Sequence, residues 1–418
     1  MLDREELVDA LREAVVDPTA EQSKRLAKDS QVGRYARMVG TAHAMLGGEW
    51  TLAGAEQQGS DVRFAVSTPR GTPYSVRFEL GPGRRPHVVG FGVERKFPPG
   101  ISVRHATAAD QSAITALTAR VPIAEADSEV FVEVDEGGDL APLAGQVYGA
   151  VGEVNGEIVA HTSAVVMPTV DGSGRRGSVL YRRHLRVDPA HQGTGLGRGC
   201  VLAFLGQAEE DTLGGVAIVA VDNKAAQEFG PERKNQPDSR SLRFLLPATN
   251  GRPSEEGRVA TQADAARLAD LMNMAHAEEG LWPGADAGVV RARLESMPQV
   301  YSWSSIRMGD RAFVGVAHVR ERRRRRAADG SVHKDVRSRV LDWGCEPGAE
   351  SELAELVASA AASCPVSTTL LAALVPSRSS AIEAFAAAAT NVEAFDVIPL
   401  GGLLVGGTRG VFVDPAAI

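Results

Sequence analysis

The residues with the clearest chemical potential stand together at 185–198, Leu-Arg-Val-Asp-Pro-Ala-His-Gln-Gly-Thr-Gly-Leu-Gly-Arg. An apolar run ends at Val187, and a helical pattern begins near Gly195. Gln192, Gly193, Thr194, Gly195, Leu196, Gly197 and Arg198 therefore form a glycine-rich turn between a strand and a helix start. Glycines let a main chain approach a ligand closely. The first N–H groups of a helix lack partners within it, and with the helix dipole they attract an anion. Gln192 and Thr194 add side-chain donors. The chemistry this suits is the cradling of a diphosphate. The same glycines also fit a tight turn, or a dinucleotide loop with Asp222 as the acidic residue ending the next strand. Antiparallel strands ahead of the loop weigh against the dinucleotide fold, which alternates strand and helix from its start.

Upstream of the loop lies Tyr181-Arg182-Arg183-His184, a stretch with no carboxylate. His184 is a candidate base, since a histidine titrates near neutrality. Tyr181 is a candidate proton donor. Packing and structural hydrogen bonding are the alternatives for both. Asn223 follows the next strand and is either a helix cap or a ligand contact. Glu133, Asp135 and Glu136 form an expected acidic loop that would greet a cationic amine or simply face solvent.

Arg322–Arg326 are five adjacent arginines, expected as the solvated part of a long hairpin with Gly330 at its tip. They could grip phosphates, but the chain's net charge of −8 gives it no global attraction to nucleic acid or anionic membrane. Cys200, Cys345 and Cys364 have no metal-ligand spacing and are expected as buried apolar groups, so no metal is anticipated. No apolar run reaches membrane-spanning length and the start of the chain is acidic, which predicts a cytoplasmic protein.

These residues need elements to hold them, and the 418 residues divide into three segments. Residues 1–98 read as helices (Leu7 to Val16, then Val32 to Leu46) followed by short strands at Trp50–Ala53, Val62–Ser67, Tyr74–Leu80 and Val88–Val93. This is an α+β accessory unit, in element order similar to the nuclear transport factor 2-like group. Phe97-Pro98-Pro99-Gly100 is a linker. Residues 101–250 begin with a strand and a helix, then a hairpin around Asn155-Gly156, the strand to Val187, the glycine loop, a helix to about Asp211 and a strand to Val221. A helix is expected from Asn223, and Leu242–Leu246 is expected to close this unit.

Residues 257–418 repeat that plan. Arg104-His105-Ala106-Thr107-Ala108-Ala109-Asp110 parallels Arg258-Val259-Ala260-Thr261-Gln262-Ala263-Asp264. Leu370–Val375 parallels Ala217–Val221. The pattern implies duplication of one α/β unit. In the second copy Leu341–Glu352 replaces the glycine loop, and its glutamates would repel a diphosphate.

Gln192, Gly195 and Gly197, preceded by Val187 and Pro189, resemble the signature of the GCN5-related N-acetyltransferase (GNAT) superfamily, strongly over 101–247 and weakly over 257–418. The resemblance implies two GNAT-like mixed-sheet domains in tandem and an acyl-coenzyme A cosubstrate, most simply acetyl-CoA. It implies that Leu185, Arg186 and Val187 hold the thioester and pantetheine beside a splay between two parallel strands. The amides of Gln192–Arg198 would hold the pyrophosphate, and Asn223 would touch the coenzyme. Members of this superfamily often place a glutamate before the loop and a tyrosine after Asn223. Here the glutamate is missing, and the aromatic at the later position is Phe229.

The implied activity is acyl transfer to a small-molecule amine by direct attack, with secondary metabolism as a fitting setting. The alternatives are an acyl-CoA sensor without turnover, and a lysine or N-terminal acetyltransferase of proteins or peptides. A homodimer is compatible with all of these.

Overall fold

A computed structural model describes residues 4–17, 39, 42, 50–68, 72–81, 88–125, 128–134, 139–204, 212–221, 223, 240–249, 257–400, 403, 405, 407, 409 and 411–417. The sequence-predicted helix over Val32–Leu46, the helix after Asn223 with Phe229, and Asp135, Glu136 and Asp222 lie largely or wholly outside these residues.

Helix α1 (Arg4–Val16) lays Leu7, Leu11, Ala14 and Val15 on an antiparallel meander of β1 (Thr51–Gln58), β2 (Asp61–Ser67), β3 (Pro73–Leu80) and β4 (Val88–Arg95). Alternation drives this layer: Val62, Phe64 and Val66 point inward while Asp61 and Arg63 do not. The likeness to the nuclear transport factor 2-like group still rests on element order alone.

The remaining strands form one large mixed sheet. Its N-terminal half comprises β5 (Ile101–His105), helix α2 (Gln111–Arg120), β6 (Ile123–Glu125), β7 (Ser128–Val134), the short helix α3 (Ala141–Ala144), β8 (Gln146–Val154), β9 (Glu157–Val170), β10 (Arg176–Val187), α4 (Leu196–Ala203), β11 (Thr212–Ala220) and β12 (Arg240–Pro247). The hairpin turn falls where expected, with Asn155 and Gly156 both at positive φ, 51° and 85°. The C-terminal half comprises β13 (Arg258–Val259), α5 (Ala265–His276), α6 (Ala287–Ser296), β14 (Ile306–Met308), β15 (Ala312–Ala327), β16 (Val332–Cys345), α7 (Glu350–Ala362), β17 (Leu370–Pro376), α8 (Ile382–Ala386) and β18 (Asn391–Leu400).

Along the sheet the order is β13-β14-β15-β16-β17-β12-β18-β11-β10-β9-β8-β5. The two halves mirror each other, each with one parallel pair, β10 with β11 and β16 with β17. A serine and a threonine hydroxyl meet at 3.1 Å across each pair, Ser178 with Thr212 and Ser338 with Thr368. The repeated Arg-to-Asp motif also folds identically. Arg104 grips Asp110 through two bonds of 2.8 Å, and Arg258 grips Asp264 at 2.7 and 2.6 Å. In each, the aspartate also accepts from the backbone and hydroxyl of a threonine, Thr107 or Thr261, as a capping box.

Three expectations need correction. First, Leu242–Leu246 does not close the first half on itself. β12 pairs with β17, and β18 pairs with β11, while β12 and β18 pair with each other. The last strands are exchanged, which completes both halves without leaving a mid-sheet edge. Second, the arginine run is no solvated loop. It lies within β15, hydrogen-bonded to β16 on one side and β7 on the other. Strand alternation splits it: Arg323 is buried, while Arg324 and Arg326 stack over Phe131 at 4.2 and 5.3 Å on the other face. Gly330 does take the hairpin tip. Third, Glu133 is in strand β7 opposite Arg322, not in an acidic loop.

Candidate active site

The parallel pairing of β10 with β11 runs from Ser178–Thr212 to Arg182–Ala217 and stops there, although β10 continues to Val187 and β11 to Ala220. The strands part at that point, as the resemblance implied. The cause lies on the other edge of β10. Opposite β9, Arg183 pairs with Ser163 and Arg186 with His161, so His184 and Leu185 together face Thr162. This is a bulge, with His184 at φ 56° and the Thr162 hydroxyl donating to the Arg183 carbonyl at 3.0 Å. A bulge turns its strand and takes a backbone amide out of the ladder.

Between the parted strands lies a cavity of about 190 Å³. Tyr181, Arg182, Arg183, His184, Leu185 and Arg186 form one wall, and Ala217–Ala220 with Asn223 form another. The C-terminal half closes it with Glu321, Arg323, Arg339 and Phe395, and Arg243 of the exchanged strand β12 joins them. The strand exchange and the buried face of the arginine run therefore both serve this site.

At the mouth of the splay the glycine loop turns into α4. Asp188 accepts from the Ala190 amide at 3.1 Å and from Arg120 Nε at 3.2 Å, which fixes the entry to the loop. The Gln192 side chain donates to the Val187 carbonyl at 3.3 Å. Thr194 Oγ donates to the His191 carbonyl at 2.7 Å and caps the Leu196 amide at 3.4 Å. Gly195 sits at φ 86°, the left-handed region that favours glycine, directly under the Arg95 guanidinium. Gly197 has a packing reason: a Cβ there would lie 2.9 Å from Val187. The loss of that carbon lets α4 close onto the end of β10. Leu196 is fully buried, so its side chain packs in the core and only its backbone can serve the loop.

Arg95 is the residue that sequence reasoning missed. It comes from the last position of β4, in the accessory layer, and its guanidinium also stacks over Phe97 at 5.3 Å. Val201 and Leu202 of α4 belong to the same apolar core as the meander. The accessory layer thus braces the loop's helix and sets a cation over its first turn. An arginine just before a Phe-Pro-Pro linker carries no local signal of that role.

The candidate acid and base sit differently from expectation. His184 is half-buried, and desolvation together with Arg183 and Arg186 holds its pKa well below the usual histidine range, not near neutrality. Its Nδ1 accepts from Arg183 Nε at 3.2 Å. His161, across the bulge, is pulled down to about 4, first by burial and then by Arg183 and Arg186. Burial pushes the Tyr181 phenol up to about 12, so it stays protonated. All three cysteines are buried as expected.

The C-terminal half has the same splay beyond Arg339–Ala372, but its own chain fills it. Phe412, Val413 and Pro415 pack with Leu341, Trp343, Leu374 and Pro376, leaving about 10 Å³. Arg293 anchors this plug through two bonds to Asp414 of 2.7 and 2.9 Å and one to Asp342 of 2.9 Å. At the start of α7, Glu346 is held by Arg267 and Arg311, and Glu352 accepts from the Arg311 amide at 3.0 Å. Among the described residues no acidic, histidine or cysteine group forms a metal cluster, and no helix is long and apolar enough to cross a membrane.

Residues 122–230 match the family model described as acetyltransferase (GNAT) family. No curated protein sequence matches the chain. Two structures of Saccharomyces cerevisiae N-myristoyltransferase with bound myristoyl-CoA align with TM-scores of 0.52 and 0.53 at 8% and 10% identity. They cover 77% of this chain and 87% and 83% of their own. A GCN5-related N-acetyltransferase from Kribbella flavida aligns over 71% of each chain at 14% identity and a TM-score of 0.38. At these identities the likeness to the yeast enzyme is one of fold.

Proposed function

Residues 122–230 are a GNAT-family domain, and from that premise we propose that the protein moves an acetyl or other short acyl group from acyl-CoA to an amine of a small molecule. The observation that carries this reading is the open splay of β10 and β11 with a glycine loop at its mouth. The pantetheine arm would lie along Leu185–Val187, with Asn223 across the gap. The pyrophosphate would rest on the amides from Gln192 to Arg198 under the Arg95 guanidinium.

Transfer is by direct attack in a ternary complex. The amine nitrogen forms a bond to the thioester carbon, the C–S bond breaks, and the amine proton leaves as the thiolate departs. The arginine-lined cavity disfavours an ammonium, so the acceptor loses its proton readily without a dedicated carboxylate base. The same positive field and the amide freed by the bulge stabilise the oxyanion. Tyr181 is protonated at all working pH and is the better candidate for donating to the thiolate. His184, crowded by guanidiniums, is the weaker candidate for base.

The cavity holds about 190 Å³, roughly six water molecules' share of liquid volume. That suits an acetyl group and part of a small acceptor. A fatty chain would bury guanidiniums against hydrocarbon with nothing to satisfy them, so the myristoyl-CoA bound by the yeast enzyme is a poor guide to this acyl group. Its fold does keep a protein or peptide amine as the second reading of the acceptor. Incubation with acetyl-CoA and an amine panel, followed by thiol release and product mass, tests both. No thiol release with any amine would leave an acyl-CoA binder instead of an enzyme.

A further inference from the structure

We propose, resting on the acyltransferase reading above, that the acceptor carries a carboxylate of its own beside the reacting amine, and that Arg183 and the arginines facing it across the cavity receive it. Three arginines of β10 (Arg182, Arg183 and Arg186), Arg243 of β12, and Arg323 and Arg339 of the C-terminal half line the space. Glu321 is the carboxylate among the lining residues, and it is already engaged by Arg339 and Arg323. From outside the lining, Asp139 meets Arg183 at 2.8 Å and Glu393 meets Arg243 at 3.2 Å. Six guanidiniums thus line one small space, most of them withdrawn from water. Like charges gathered out of water repel one another, and an anion entering the cavity relieves that repulsion.

Arg183 gives the placement. Its side chain is 7% exposed, and its second terminal nitrogen, Nη1, is buried without a hydrogen-bond partner. A charged donor left unmet in the interior costs more than it would in water. A guanidinium presents parallel N–H groups that match a carboxylate's two oxygens. Burial and the neighbouring Arg323 draw Arg243 down to about 10, the mark of a cation among cations. Of the acidic residues that would have welcomed a cationic substrate, Glu133 stands opposite Arg322, whose register puts it on the other face from Arg323. At about 190 Å³ the space suits an amine and a carboxylate only a few atoms apart, as in an α-amino acid.

The test uses the full chain saturated with CoA and a calorimetric panel of N-acetyl-α-amino acids, each paired with its carboxamide. These probes are the expected products with and without the charge. The acids should bind roughly tenfold or more tighter than the amides. Arg183→Gln should remove that preference, and Arg183→Lys, which keeps the charge without the fork, should restore it in part. Equal affinities for acid and amide, or no binding of either, would overturn the proposal. So would tighter binding of O-phosphoethanolamine than of any acid, since the site would then be one for phosphate. Acid-selective binding with no thiol release from acetyl-CoA and free amino acids would leave this anion site standing and remove the transferase reading instead. Acid-independent turnover would do the reverse.

Discussion

The two halves of the large sheet start from the same plan and end with opposite interiors. Both open with an Arg–Asp clasp, both hold one parallel strand pair, and both tie that pair with a serine and a threonine. Beyond the pair, the N-terminal splay is open to about 190 Å³ and the C-terminal one is filled by residues 412–415 to about 10 Å³. At the two helix starts the contrast repeats. Gly195 lies beneath an arginine, while the start of α7 is crowded by Glu346, Glu350 and Glu352. A fold copied twice can keep its frame and lose its ligand site, because the frame rests on buried strands and the site on a few backbone positions. The closed half is not idle. It supplies Glu321, Arg323 and Arg339 to the open one.

The sharpest way to break this comparison is to put the same charge on both loops. Gly195→Asp forces a Cβ into Arg95 and sets a carboxylate against the diphosphate. Like charges near 4 Å at the protein surface repel by about 4 kcal/mol, so coenzyme affinity should fall on the order of a hundredfold or more. Gly348→Asp meets no atom within 4 Å, and its φ of 78° costs about 1–2 kcal/mol in stability. It should leave affinity unchanged. Calorimetry of both variants decides, and the wild type should bind one coenzyme per chain. Two per chain would mean the plug yields.

Asp414→Ala tests the plug. It strips one of two carboxylates from buried Arg293. Removing one partner of a buried pair costs about 3–5 kcal/mol, and Asp342 remains, so about 3 kcal/mol is expected as a lower urea midpoint. Coenzyme affinity should not move, since the open splay lies in the other half.

How much of this was legible in the sequence follows from what is local. The loop at 192–198, the Asn155-Gly156 turn and the paired Arg-to-Asp motifs are short runs whose geometry neighbouring residues dictate, and each appears where it was read. The exchange of β12 and β18 was not legible, because either apolar strand satisfies either half and only long-range packing chooses. The arginine run misled for a different reason. Strand structure is read from alternation between apolar and polar residues, and five identical side chains show none. Phe131, Glu129 and Glu321, which make a strand of it, lie outside the run. The plug at 411–417 is too short to have a period. His184 was placed correctly on its strand, but its partial burial among arginines was a property of the assembled site.

Acid separates the halves by charge type. His161 binds no proton in the folded protein until about pH 4, whereas an unfolded histidine titrates near 6.5. Its contribution is present above about pH 6.5 and is lost as pH falls toward 4, and His184 shifts the same way. Between pH 7 and 5 His161 alone should cost about 2 kcal/mol. The C-terminal half relies on Glu321 and Glu393, held below the carboxylate range by Arg339, Arg243, Arg323 and Arg337. Their contribution persists at pH 5 and is lost only below the ordinary carboxylate range. Urea unfolding against pH should fall in two windows, and His161→Gln should make the upper one shallower, leaving His184's share, without changing the lower one. A flat wild-type curve from pH 7 to 5 would mean the histidines are hydrated.

The smallest expected effect reaches the accessory layer. Arg95 lies over Gly195, and Arg311 stands beside the corresponding helix of the other half, bound to Glu346 Oε at 2.9 Å and to the Pro347 carbonyl at 3.0 Å. One arginine faces an open loop and the other is spent on its own chain. Arg95→Ala should therefore weaken coenzyme binding about tenfold, near the lower end of what a charge-assisted hydrogen bond contributes at a partly exposed site. The loss should shrink in high salt, because screening acts on such a contact. Arg311→Ala should leave the affinity as it was. Should Arg95→Ala also leave it unchanged, the meander serves only as a brace for α4 through Val201 and Leu202. The diphosphate site would then be built from the N-terminal half of the large sheet alone.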